Sequence, residues 1–165
     1  MTKNSIRLLV IILIALTSLT TCKNDTDKVE YIKFELIHSR RIPNYKVQIE
    51  ITKKNSKYFL HLRSKPAVKT IWEKTRIDTT FTIDNSTFKK VSKEVIKLTK
   101  CDFSKSEIMV LDGYSCEIKI GFNGQEKIYD ILTPNYDTEE RGLTEYLKAC
   151  ELIIKTAGLK TEEVL

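Results

Sequence analysis

Tyr114-Ser-Cys-Glu-Ile-Lys-Ile-Gly-Phe-Asn-Gly-Gln-Glu-Lys-Ile-Tyr-Asp-Ile-Leu132 is the stretch that decides the fold. Tyr114, Cys116, Ile118 and Ile120 alternate with Ser115, Glu117 and Lys119, the two-residue period of a strand with one apolar face. Asn123-Gly124 follows. A type I′ turn requires positive φ at both central residues, and this pair tolerates it better than any other. Lys127 to Leu132 then pairs back, and Pro134 closes the run. Two strands joined by two residues can only be antiparallel, and one apolar face needs cover on one side only.

Working upstream, Asp112-Gly113 marks a turn and Ile108 to Leu111 reads as a short strand. Phe88, Val91, Val95 and Leu98 fall on one stripe of an amphipathic helix. Asp84, Asn85 and Ser86 offer its N-cap, and Lys97 and Lys100 suit its C-terminus. Four alternating runs precede it: Ile32, Phe34 and Leu36; Val47, Ile49 and Ile51; Tyr58, Leu60 and Leu62; and Ile77, Thr79, Phe81 and Ile83. Lys53-Lys54-Asn55-Ser56 is a hairpin connection, while Pro43 and Pro66 end runs because proline cannot donate to a ladder. Residues 68–74 are ambiguous, with Trp72 their only large anchor.

Downstream, Asp137 and Glu140 sit at capping-box spacing. Leu143, Tyr146, Leu147, Cys150, Ile153, Ile154 and Ala157 give the most regular helical stripe in the chain, and Gly158 suits the position after it. Thr161 to Leu165 reads as a frayed tail. The whole is expected to be α+β: two layers, a largely antiparallel sheet of six or seven strands, and two amphipathic helices packed on one face. Residues 29–160 make one domain.

The first 28 residues have a different character. Lys3 and Arg7 precede an unbroken apolar run from Leu8 to Leu16, and Leu19-Thr20-Thr21-Cys22 follows. The run is far shorter than the roughly 20 residues of a membrane-spanning helix, and it has the layout of a cleaved export signal. Ending at a cysteine, it resembles a bacterial lipoprotein signal, with Leu19, Thr20 and Thr21 as the lipobox before Cys22. Leu19 fits that pattern, whereas Thr21 stands where Gly, Ala or Ser is more common. The resemblance covers residues 1–22 alone. It implies cleavage after Thr21, removal of residues 1–21, and lipidation of Cys22, with diacylglyceryl and acyl (palmitate-type) chains. Two or three chains hold a protein stably on a bilayer, where one does not. Residues 22–28 are then the lipidated cysteine and a polar tether. The implied address is the cell envelope, lipid-anchored, at the outer membrane on its periplasmic face or the cell surface.

Removing the leader leaves 144 residues and lowers the formal charge from +6 to +4, because Lys3 and Arg7 go with it. The excess is spread along the chain, without the concentrated basic and aromatic face of a nucleic-acid reader, so no nucleic-acid partner is expected. Export would place Cys101, Cys116 and Cys150 where disulfides persist. Two of the three can pair, and the spacing does not say which.

The sequence carries no recognisable catalytic motif. His38 and His61 lie on separate strands with no carboxylate at ligand spacing, so neither a metal nor another cofactor is expected. No cysteine stands at a helix start, where its thiolate would be favoured. Ser39, Arg40 and Arg41 read as a polar hairpin tip. Five glycines leave little for phosphate loops. Outward-facing aromatics, Tyr31 and Phe59 above all, remain as surface candidates. The resulting expectation is a non-enzymatic, envelope-anchored module that binds an envelope or secreted protein, as an immunity protein or an accessory subunit of an envelope assembly does. A small-ligand carrier with a pocket between sheet and helices is the alternative. A hydrolase with an unrecognised constellation ranks last.

Overall fold

The computed structural model describes residues 25–38, 45–65, 77–109 and 111–165. After a 3₁₀ turn, Asp25–Lys28, come four strands: β1 (Val29–His38), β2 (Lys46–Lys54), β3 (Lys57–Lys65) and β4 (Ile77–Ile83). Helix α1 (Asn85–Lys97) follows and tightens into a 3₁₀ turn at Leu98–Lys100. Strands β5 (Tyr114–Phe122) and β6 (Gln125–Leu132), helix α2 (Thr144–Thr156) and a helical turn, α3 (Thr161–Val164), complete the chain. The six strands form one open sheet in the order β4-β3-β2-β1-β5-β6, with every pairing antiparallel. This is the α+β architecture that the alternation of apolar residues demands.

Turn chemistry fixes the register. Asn123 and Gly124 have φ of 55° and 71°, as a type I′ hairpin requires, and Asn55 and Ser56 have φ of 48° and 63° in the β2–β3 hairpin. The register aligns Leu62, Ile49, Phe34, Ile118 and Tyr129 in one row across the sheet. Leu60, Ile51, Ile32 and Ile120 make a second row, and Ser64, Val47, Leu36, Cys116 and Ile131 a third. A slip of one residue would turn all three rows to water, so the pattern itself defends the register.

Helices α1 and α2 cover these rows. Phe88, Val91, Val95 and Leu98 from the first and Tyr146, Ala149, Cys150, Ile153 and Ile154 from the second join the sheet residues in one buried cluster. Tyr58 of β3 stacks on Phe88 with ring centroids 4.1 Å apart, which ties α1 to the sheet. The Tyr146 hydroxyl donates to the carbonyls of Cys116 and Tyr129, so its polar atom is satisfied inside the layer.

Three expectations are corrected. Residues 106–109 are irregular, and the expected strand Ile108–Leu111 is not formed across its described residues. Met109 and Leu111 are fully exposed, and residue 110 lies outside the described residues. Arg141 explains the first departure: Nε and Nη2 both donate to the Ser106 carbonyl, holding the segment near β6 without placing it in the ladder. The capping box at Asp137 and Glu140 is not made either. Residues 138–142 are turns, Asp137 has φ of 47°, and α2 starts at Thr144 without a side-chain cap. Finally, the last residues are not frayed, because α3 carries Val164 into the core with no exposed surface. A single apolar residue at the right distance past Gly158 is enough to anchor that turn.

Candidate interaction surface

The outer face of the sheet carries no helix among the described residues. Its side chains follow from the same register, one residue out of phase with the core. One row across it is Thr80, His61, Glu50, Lys33, Lys119 and Ile128; the next is Asp78, Arg63, Gln48, Glu35, Glu117 and Asp130. Opposite charges meet between β1 and β2, where Lys33 lies 3.5 Å from Glu50 and Lys46 lies 3.0 Å from Glu35. Between β1 and β5 like charges stand opposite, Lys33 by Lys119 and Glu35 by Glu117, and Lys119 pairs with Glu117 on its own strand at 3.1 Å. The Gln48 amide donates to Glu35. His61 Nε2 is 2.8 Å from Asp78 on β4. The carboxylate of Glu117 raises the Lys119 pKa through the hydrogen bond between them.

These groups are partly solvated, so each pair contributes little to stability. What they determine is which charges stand side by side on this face. Between them lies a depression of about 200 Å³ lined by Lys33, Glu35, Gln48, Glu50, His61 and Arg63. It is polar and small, a relief that suits a protein surface better than a buried small molecule.

An aromatic row borders this lattice. Register places Phe59, Thr52 and Tyr31 side by side, with Gly121 and Glu126 beyond. Tyr31 lies over Gly121, where an added Cβ would come within 2.4 Å of the ring. Its hydroxyl donates to Glu126, and that bond pushes the Tyr31 pKa up to about 12. Lys33 Nζ sits 5.1 Å from the centre of the same ring. The two outward aromatics named from the sequence are thus both on this face. Tyr58, Tyr114 and Tyr129 point to the other side, and Trp72 lies outside the described residues.

The remaining sequence candidates are dispersed. Leu19, Thr20, Thr21, Cys22 and the Ser39–Arg41 tip lie outside the described residues. His38 stacks on Tyr114 at 5.5 Å between ring centroids, away from His61 and its Asp78 partner. Among the described residues no group of three or more His, Cys, Asp or Glu gathers as metal ligands would. Cys101, Cys116 and Cys150 are free thiols. Of these, Cys116 on β5 and Cys150 on α2 are neighbours, with sulfurs 3.4 Å apart in the core. Burial raises the Cys150 pKa well above that of an ordinary thiol, and burial raises that of Cys101 as well.

Sequence reasoning missed Arg141. Its side chain is buried and donates five hydrogen bonds to the carbonyls of Ser106, Leu132, Thr133 and Tyr136. It clamps the loop after β6 to the segment before β5. A charged residue between Glu140 and Gly142 offers no periodic signal, and only the loop geometry reveals its partners. His61 and Asp78 were equally hidden, because the β3–β4 register brings together residues 17 positions apart.

No helix among the described residues is long and apolar enough to cross a membrane. No protein-family model, curated protein or solved structure matches the chain.

Proposed function

We propose that the protein is an envelope-anchored lipoprotein, held on the outer membrane through acylated Cys22, which works as a non-enzymatic protein-binding module. The outer sheet face is its contact surface, and the partner is an envelope or secreted protein, in the manner of an immunity protein or an accessory subunit. One observation carries this reading: two helices fill the inner face over β1, β2, β3 and β5, leaving edge strand β4 partly exposed there, while the outer face presents paired Lys, Arg, Glu and Gln side chains beside Tyr31 and Phe59. Interfaces draw on such mixtures, with aromatic and Arg anchors at their centre and charges setting orientation. The packed layer between sheet and helices favours this module over the carrier, which needs a pocket there.

Two measurements test it. A photo-crosslinking residue placed at Gln48 or Phe59 in cells should capture one dominant protein, and the same residue at Lys148 on α2 should not. Arg63→Glu should weaken capture at least about tenfold, the effect of losing one anchor residue. Equal capture from both faces, or none from the sheet, would overturn the assignment. For the anchor, a fatty-acid analogue should label the protein, and Cys22→Ala should abolish the label.

A further inference from the structure

Lys89, Lys90, Lys93, Lys97 and Lys100 all fall within α1 and its 3₁₀ extension. At about 100° per residue they occupy one arc roughly 100° wide. That arc lies opposite the stripe of Phe88, Val91 and Val95 that packs on the sheet. Ile96 borders the arc on the buried side, so Lys89, Lys90, Lys93 and Lys100 stand exposed while Lys97, half-buried, leans toward α2. Glu94 is its only acid, and nearby carboxylates answer some of the charge but not all. Lys97 pairs with Glu94 and Glu145, Lys89 lies 3.8 Å from Asp27, and Asp25 is taken by Lys28. Lys90, Lys93 and Lys100 have no carboxylate within 4 Å among the described residues.

The chain enters the domain at this same face. The Asp25–Lys28 turn lies against α1, and Asp25 shares a groove of about 1000 Å³ with the five lysines. Cys22 stands three residues before Asp25, and three residues span at most about 11 Å. Whatever holds Cys22 is therefore close to α1.

We propose that the lysine arc of α1 rests on the anionic lipid surface to which Cys22 is anchored. This rests on the lipoprotein reading of Cys22 and adds to it an orientation. A tether this short lets the arc reach the bilayer surface, and within a Debye length of it each lysine is drawn to anionic headgroups. Because α1 and the open sheet face lie on opposite sides of the domain, docking α1 on the membrane turns the sheet face outward. A protein partner then meets its surface unobstructed.

The test uses the lipidated chain added to preformed vesicles, either phosphatidylcholine alone or phosphatidylcholine mixed with phosphatidylglycerol. Lysines are modified with a water-soluble succinimidyl ester and mapped by mass spectrometry. Lys90, Lys93 and Lys100 should react about fivefold more slowly on the anionic vesicles, and high salt should restore them. Lys33, Lys46 and Lys119 on the sheet should react alike on both. A chain that floats with neutral vesicles yet shows equal α1 rates on both overturns the docking proposal alone. Protection of the sheet lysines instead would do the same. A chain that does not float with neutral vesicles refutes the anchor, and the docking proposal falls with it.

Discussion

Asp84 shows how much one side chain settles locally. Its carboxylate accepts from the Thr87 backbone N–H at 2.7 Å and from the hydroxyls of Ser86 and Thr87, closing the first turn of α1. The Ser86 hydroxyl most of all, then the Thr87 N–H, holds its pKa down at about 2, below the ordinary 3.8. A depressed carboxylate pKa stabilises the fold fully above the unfolded value, and that contribution is lost as pH falls from there through about 2. Asp84→Ala should lower Tm by about 2–4 °C at neutral pH, the effect of losing one cap in a domain of this size. The difference between variant and parent should shrink in calorimetry below about pH 4. A difference that stayed constant down to about pH 2 would show that the charge plays no part. Arg141 is the opposite case, a residue whose role comes from distant partners. Arg141→Met should cost on the order of 3 kcal/mol in urea denaturation, because it strands four carbonyls that the guanidinium now satisfies. A loss under about 1 kcal/mol would mean that water replaces the clamp without penalty.

At the scale of elements, the strands were legible in the sequence because their signal is local and redundant. Ile32, Phe34 and Leu36 on β1 face the same way as Cys116, Ile118 and Ile120 on β5, and the hairpins at Asn55-Ser56 and Asn123-Gly124 each carry their own φ requirement. Elements whose ends depend on tertiary partners were not legible. The start of α2 and the path of residues 106–109 are set by Arg141, and the order of α3 by one buried valine. The candidate surface was half legible: its outward residues followed from the period, but the pairing of His61 with Asp78 needed the strand order. The β5–β6 hairpin gives a direct test of the aromatic border. Gly121→Ala would place a Cβ against Tyr31 and push the ring off its site, breaking the bond to Glu126. The Tyr31 pKa should fall from about 12 toward the ordinary 10 in an ultraviolet titration. The raised value means that the neutral hydroxyl stabilises the fold below pH 10 and that this is lost as pH rises through about 12. A titration curve identical to that of the parent would show that the ring accommodates the methyl without leaving Glu126.

The whole molecule is two layers joined by one continuous core, and Cys116 and Cys150 sit at the seam. One belongs to the sheet and the other to α2, and both are fully buried with sulfurs 3.4 Å apart. Neither sulfur can meet a reagent unless the layers separate, and burial also disfavours the Cys150 thiolate that would react. Cys101 is half-buried at the end of α1, its thiol donating to the Lys97 carbonyl, so it needs only local opening. A disulfide-exchange reagent should therefore label Cys101 first in the native protein. Cys116 and Cys150 should follow together, at a rate that rises with urea in step with global unfolding. Layers that part locally would give a different result: Cys150 would react without Cys116, with little dependence on urea. Joint, urea-dependent labelling would instead establish that sheet and helices open as one cooperative unit. A domain that opens only as a whole keeps its outer sheet face ordered until it unfolds, as a pre-formed binding surface requires.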